Sequence, residues 1–222
     1  MSRRISVASA LVSALLVLTT SAPAGLAQNA APASTSAWSQ EDALRVIKEV
    51  QKNLGRLTTY SVFDWITFGI QGKTVVLKGY ASRPVLKNDA ARAVKGIAGV
   101  EKVENQIEVL PLSPADDRVR AAVYNRIYTQ ASLRKYNANA GNLARAIGPG
   151  SRTFLMAGGI TNDPPMGYHA IHIIVKNGHV TLYGVVLNEG DAAIAGMQAN
   201  SAPGAFSVDN DLVVEGAPAK GK

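Results

Sequence analysis

The chain has 222 residues and no cysteine. That absence excludes disulfides, a thiol nucleophile, a thiolate metal site and a lipid-modified N-terminal cysteine. Histidine is scarce: His169, His172 and His179 all fall in the second half. The apolar run near the N-terminus, Leu11 to Leu18, is broken only by Ser13 and is short of the ~20 residues of a membrane span. There is no nucleophile elbow, phosphate-binding loop or paired-carboxylate signature, so no residue is given a catalytic role. One further absence is local. From Arg118 to Arg152 there is no Asp or Glu, against seven basic residues.

What is present is a globular composition, 47% hydrophobic and 18% charged, with room for one large domain or two small ones. Arg3 and Arg4, the apolar core and Ala24-Gly25-Leu26-Ala27 together read as an export signal over 1–27, cleaved before Gln28; a retained anchor is the lesser reading. Removing Arg3 and Arg4 from the 23 basic residues leaves 21 against 16 acidic, a net charge of +5. Export without disulfides leaves stability to the core, and points to the periplasm or the outside of a bacterium.

The remainder repeats. Shifted by 105 positions and without a gap, Ile70 falls on Val175, Leu77 on Leu182, Gly79 on Gly184, Gly99 on Gly204, Asn105 on Asn210 and Val109 on Val214. Each copy opens with a helix signal: Ser39-Gln40-Glu41-Asp42 in the first, Ser113-Pro114-Ala115-Asp116 in the second. A hairpin follows. Asn177-Gly178 suits a type I′ turn and Gly72-Lys73 a type II′ turn. Two-residue turns fix the register, so Ile70, Phe68 and Ile66 face Val75, Leu77 and Gly79. Likewise Val175, Ile173 and Ile171 face Val180, Leu182 and Gly184, all on the core side. A second helix and a last strand complete an αββαβ unit with a right-handed crossover. The fold class is α+β, with two such units, each a three-stranded mixed sheet carrying two helices on one face. The expected boundaries are a flexible tail at 28–38, a first domain at 39–110 and a second at 113–215. An insertion at about 137–167 interrupts the second, and a flexible tail closes the chain at 216–222.

At Val75-Val76-Leu77-Lys78-Gly79 with Gly99 and Val103-Glu104-Asn105, and again at Val180-Thr181-Leu182-Tyr183-Gly184 with Gly204 and Val208-Asp209-Asn210, the chain resembles the BON domain (bacterial OsmY and nodulation) family. The resemblance implies a non-catalytic envelope protein without cofactor, tied to membrane phospholipid and osmotic-stress protection. The alternative it carries is a soluble periplasmic, chaperone-like stress protein that binds unfolded clients. Gly72, Gly79, Gly99, Asn105, Asn177, Gly178, Gly184, Gly204 and Asn210 look structural.

The binding candidates come from charge. Arg118, Arg120, Arg126, Arg134, Lys135, Arg145 and Arg152, with Tyr124 and Tyr128 interleaved, suit an anionic phospholipid surface or an envelope protein partner. An ordinary solvated helix face is the competing reading, and export disfavours nucleic acid. Phe154, with Leu155 and Met156 in the insertion, either dips into a bilayer or packs over its own domain, the second being preferred. Phe63 and Trp65, extended back from the first hairpin, fall on the outer sheet face. There they contact lipid or client, or, as preferred, cover that face against the other domain. His172 and His179 lie on the outer face of the second hairpin as surface histidines. His169 and His172, three apart on a strand, point oppositely and cannot share a metal.

Overall fold

The first unit starts at its cap. Ser39 Oγ accepts the Asp42 amide, and α1 runs Gln40–Leu54, burying Val46 and Val50. This computed structural model describes residues 38–137, 159–162, 164–165 and 168–216. The export signal, nearly all of the first tail, most of the insertion and the end of the second tail lie outside the described residues.

Strands β1 (Trp65–Gln71) and β2 (Thr74–Ala81) pair antiparallel with the expected register, Ile70 opposite Val75, Phe68 opposite Leu77 and Ile66 opposite Gly79. Gly72 has φ 57 while Lys73 stays at negative φ, as a type II′ turn requires. Helix α2 (Pro84–Lys95) then crosses to β3 (Lys102–Asn105) and β4 (Glu108–Val109), both parallel to β2. The first sheet therefore counts four strands rather than three, because its last strand is interrupted. Asn105 stands at the break. Its amide donates to the Lys87 carbonyl of α2 at 2.7 Å, and its side-chain oxygen accepts the Ile107 amide at 3.2 Å. Asn210 makes the same kind of bonds in the second unit, although the last strand there is unbroken.

The second unit opens with α3 (Pro114–Thr129), capped by Ser113. A 3-10 turn at Arg134–Tyr136 and one helical turn at Gly159–Asn162 precede β5 (Ile171–Lys176) and β6 (His179–Val186). Asn177 and Gly178, at φ 53 and 79, make the type I′ turn, and the expected pairs again face each other. Helix α4 (Glu189–Asn200) leads to β7 (Ser207–Val214), which runs parallel to β6 along its whole length. The sheet order is β5-β6-β7.

The paired motif glycines have one cause. At Gly184, φ 130, an added Cβ would lie 1.9 Å from the Ala170 carbonyl oxygen; at Gly79, φ 115, it would lie 2.0 Å from that of Trp65. The backbone of the neighbouring strand occupies the place of a side chain in both units.

Each sheet packs its inner face on its own helices. Val75, Leu77 and Ala81 meet Val46, Val50, Leu86, Ala90 and Val94 in the first core; Ile171, Ile173, Val180 and Leu182 meet α3 and α4 in the second. Yet Val76 and Ile174, on the opposite faces, are each only 3% exposed and join neither core. The two sheets cover each other, outer face to outer face, with the helical layers outside. Burying such a side chain is worth about 1.5–3 kcal/mol, which drives two half-open sheets together.

Candidate functional site

The seam between the sheets is aromatic. Trp65 of β1 stacks on Tyr183 of β6, with ring centroids 5.5 Å apart and planes within 3°. Tyr80 also stacks on Tyr183, at 6.4 Å. His172 lies between Tyr60 and Trp65, at 5.3 and 5.2 Å. At the far end, Lys176 pairs with Glu108 across the seam at 2.6 Å, and this contact raises the Lys176 pKa. The expected interdomain place of Trp65 is what the structure shows, and this takes it out of contact with lipid.

His172 corrects an expectation. It is on the outer face of its hairpin, opposite Tyr183, but buried, because the first unit lies on that face. Burial lowers its pKa from 6.5 to about 4, and the nearby His169 acts in the same direction; main-chain groups of Ser61 and Asp64 oppose them. Its Nδ1 has no hydrogen-bond partner among the described residues. The signal was present in the sequence: Ile174, next along that face, is out of place on a solvated surface. His179 is exposed, 2.7 Å from Ser207 Oγ. His169 meets Tyr124, at 3.1 Å, and Tyr128 instead.

Phe63 is a second correction. It lies in neither sheet face but inside the core of the second unit, against Tyr124. Alternation does not extend back from β1, because Asp64 closes a turn: its carboxylate accepts the Ser61 amide, the Ser61 hydroxyl and the Ser82 amide. The loop then lies along the edge of β5, where the Ile173 amide donates to the Val62 carbonyl at 2.8 Å.

The basic span divides. Helix α3 buries nine of its 16 residues, since it packs against both β5 and the turn at Gly159–Asn162. Arg120 is wholly buried; it donates to Asp117, Thr161 and the Val175 carbonyl at 2.8, 3.0 and 2.8 Å. Tyr128 is buried with its hydroxyl on the Ile171 carbonyl, and Tyr124 with its hydroxyl held by Asn137 and His169. Arg120, Tyr124, Tyr128 and Phe63 are therefore internal, and not positioned to touch a membrane or partner. Burial pushes Tyr124 up to about 12 and Tyr128 well above its usual value. Lys135 is exposed but bonded to Asp191 at 2.6 Å; with the Tyr136 hydroxyl it outweighs burial, and the Asp191 pKa falls.

Arg118, Arg126 and Arg134 remain at the surface. Their hydrogen bonds go to neutral groups where they exist: Arg126 to Ser201 Oγ at 3.3 Å, Arg134 to the Thr129 carbonyl at 3.3 Å. Beside them lies α4, and from Ala192 to Val208 the chain has no charged residue. Met197 faces solvent there at 62% exposure. The sequence reading missed this flank. The first unit differs: on α1, Arg45 is paired with both Asp42 and Glu49. Arg145, Arg152 and Phe154 lie outside the described residues.

Among the described residues, no group of three His, Asp or Glu could hold a metal, and no helix is long and apolar enough to cross a membrane. No curated protein matches the chain. Two solved structures of CdsD, a structural protein of the type III secretion system of Chlamydia trachomatis, are similar at 13% identity. One match covers 77% of this chain and 92% of that one; the other, to the C-terminal domain, covers 78% and 98%. Both have a TM-score of 0.24, too low to carry an argument. The family model for the BON domain matches residues 69–111 and 159–216, from within β1 to just past β4, and from the turn before β5 to just past β7. With one match in each half, each spanning the hairpin, the crossover helix and the motif glycines and asparagine, the chain is a two-part BON-domain protein.

Proposed function

We propose that this protein acts without catalysis in the bacterial envelope, associating with anionic phospholipid and supporting envelope integrity under osmotic stress. The observation that carries the reading is the outer helical layer of the second unit. Arg118, Arg126 and Arg134 stand there without a carboxylate partner among the described residues, beside the uncharged face of α4 with Met197. Basic side chains next to a weakly apolar face suit a headgroup layer, each worth about 1 kcal/mol near an anionic surface.

Flotation with anionic and zwitterionic liposomes tests it. The protein is expected to float with anionic vesicles at low salt and to lose this as salt rises. Replacing Arg118, Arg126 and Arg134 together by Ala should weaken binding by about two orders of magnitude. Equal failure to float with both vesicle types at low salt would end the reading. Suppression of client aggregation in that same sample would move it to the chaperone alternative.

A further inference from the structure

The seam holds a group that favours it in only one charge state. We propose that the sheet-to-sheet seam is acid-labile, and that protonation of His172 opens it. The geometry is the reason. His172 is buried between Tyr60, from the loop after α1, and Trp65 of β1, with Tyr183 of β6 opposite it in register. Its Nδ1 is already without a partner among the described residues. The acids of the neighbourhood are engaged elsewhere: Asp64 by Ser61 and Ser82, Glu108 by Lys176. Asp209 and Asp211 of β7 act on Tyr183 and Tyr168 on Tyr60, while the charge that acts on His172 is that of His169, which disfavours a proton. A proton on His172 in the closed seam would be a buried charge with no carboxylate partner among the described residues, and the main-chain groups of Ser61 and Asp64 do not offset its burial.

Opening exposes the ring to water, where the ordinary value of 6.5 returns. The open state then binds the proton more tightly than the closed one. The seam keeps its full stability above pH 6.5 and loses it as pH falls from 6.5 toward about 4, the value in the closed seam. The opening equilibrium rises about 30-fold by pH 5, and toward about 300-fold below pH 4. What becomes exposed is apolar: Val76, Ile174, Trp65, Tyr80 and Tyr183 from the seam, with Val62 and Phe63 drawn from the core of the second unit.

The Ile173 amide, bonded to the Val62 carbonyl across the units, reports opening directly. Native-state hydrogen exchange read by NMR on the full mature chain gives its protection factor after correction for intrinsic exchange. Between pH 7.5 and 5 that factor is expected to fall about 30-fold. Within-unit amides serve as controls: Leu110 on the Ala81 carbonyl and Phe206 on that of Gly178 should hold. In His172→Phe and His172→Gln, either of which suffices if the other does not fold, the Ile173 protection factor should be flat with pH. A wild-type factor that does not change, an equal fall in the controls, or the same fall in the variants would overturn the proposal.

Discussion

Replacing Arg120 by Met separates the two roles that its place in a basic span allows. Arg120 is wholly buried and makes three hydrogen bonds, to Asp117 Oδ1, Thr161 Oγ1 and the Val175 carbonyl. Met fills much of the volume but leaves Asp117, itself nearly buried, as an uncompensated charge supported by Thr161 alone. Breaking a buried pair from one side costs about 3–5 kcal/mol, a large part of the stability of a domain. Removing both partners, Arg120→Met with Asp117→Leu, takes the stranded charge away and should recover most of that loss. Urea denaturation of the wild type, both single variants and the double variant gives the coupling as a double-mutant cycle. Arg118→Ala is the surface control, with stability within about 0.5 kcal/mol of wild type and anionic-liposome affinity down about fivefold. A cost below 1 kcal/mol for Arg120→Met, together with a loss of liposome binding, would refute the reasoning and put the guanidinium at the surface.

The motif glycines should divide by geometry: Gly79→Ala and Gly184→Ala, with positive φ and a carbonyl in the way, should each cost about 3 kcal/mol or more. Gly69→Ala, with open space around it, should stay within about 0.5 kcal/mol of wild type by the same denaturation curve. The two motif asparagines bond a helix carbonyl alike, but Asn105 is part-buried and Asn210 exposed. Asn105→Ala is therefore expected to cost about 1.5–2 kcal/mol and Asn210→Ala about half that, and a reversed order would contradict the burial argument. Alkali should unfold the chain through its tyrosines. Tyr124 and Tyr128 have raised values when folded, so the stability they hold below pH 10 is lost as pH climbs toward 12. Absorbance at 295 nm showing both ionised near pH 10 in a still-folded chain would count against their burial.

Local chemistry was legible where it is decided locally. Asn177-Gly178 and Gly72-Lys73 set the register of both hairpins, and Ser39 and Ser113 set the helix starts, because each depends only on residues two or three positions away. The repeat then gave the unit. What one strand cannot say is what lies against its far face. His172 was read as solvated because the hairpin register puts it opposite Tyr183 on the outer face; its cover comes from Tyr60 and Trp65, over a hundred positions earlier. Ile174 and Val76 held the hint, as apolar residues on faces that should have been wet. Phe63 was lost to a turn made by Asp64, since alternation assumes that the strand continues. On α3, Arg120 read as one of a row of surface arginines, although Asp117, three residues before it, is a partner at helical spacing.

The duplication itself narrows where a partner can bind. A sheet with helices on one face has a second face to cover, and here each unit covers the other's. The hairpin aromatics are used for this in both halves, Trp65 and Tyr80 from the first and Tyr183 from the second. They cannot distinguish one unit from the other at the surface. What does distinguish them is the helical layers. On α1, acids and bases alternate and pair, which presents a balanced surface. On α3 the acids are inside, with Asp116 bonded to the hairpin turn at Asn177 and Gly178 and Asp117 bonded to Arg120. Its exposed side is left to Arg118 and Arg126. The same inward turn of the carboxylates that stabilises the second unit therefore produces the uncompensated charge of its outer face. The packing of the second unit and the basic charge of its outer face are two results of one placement of acids.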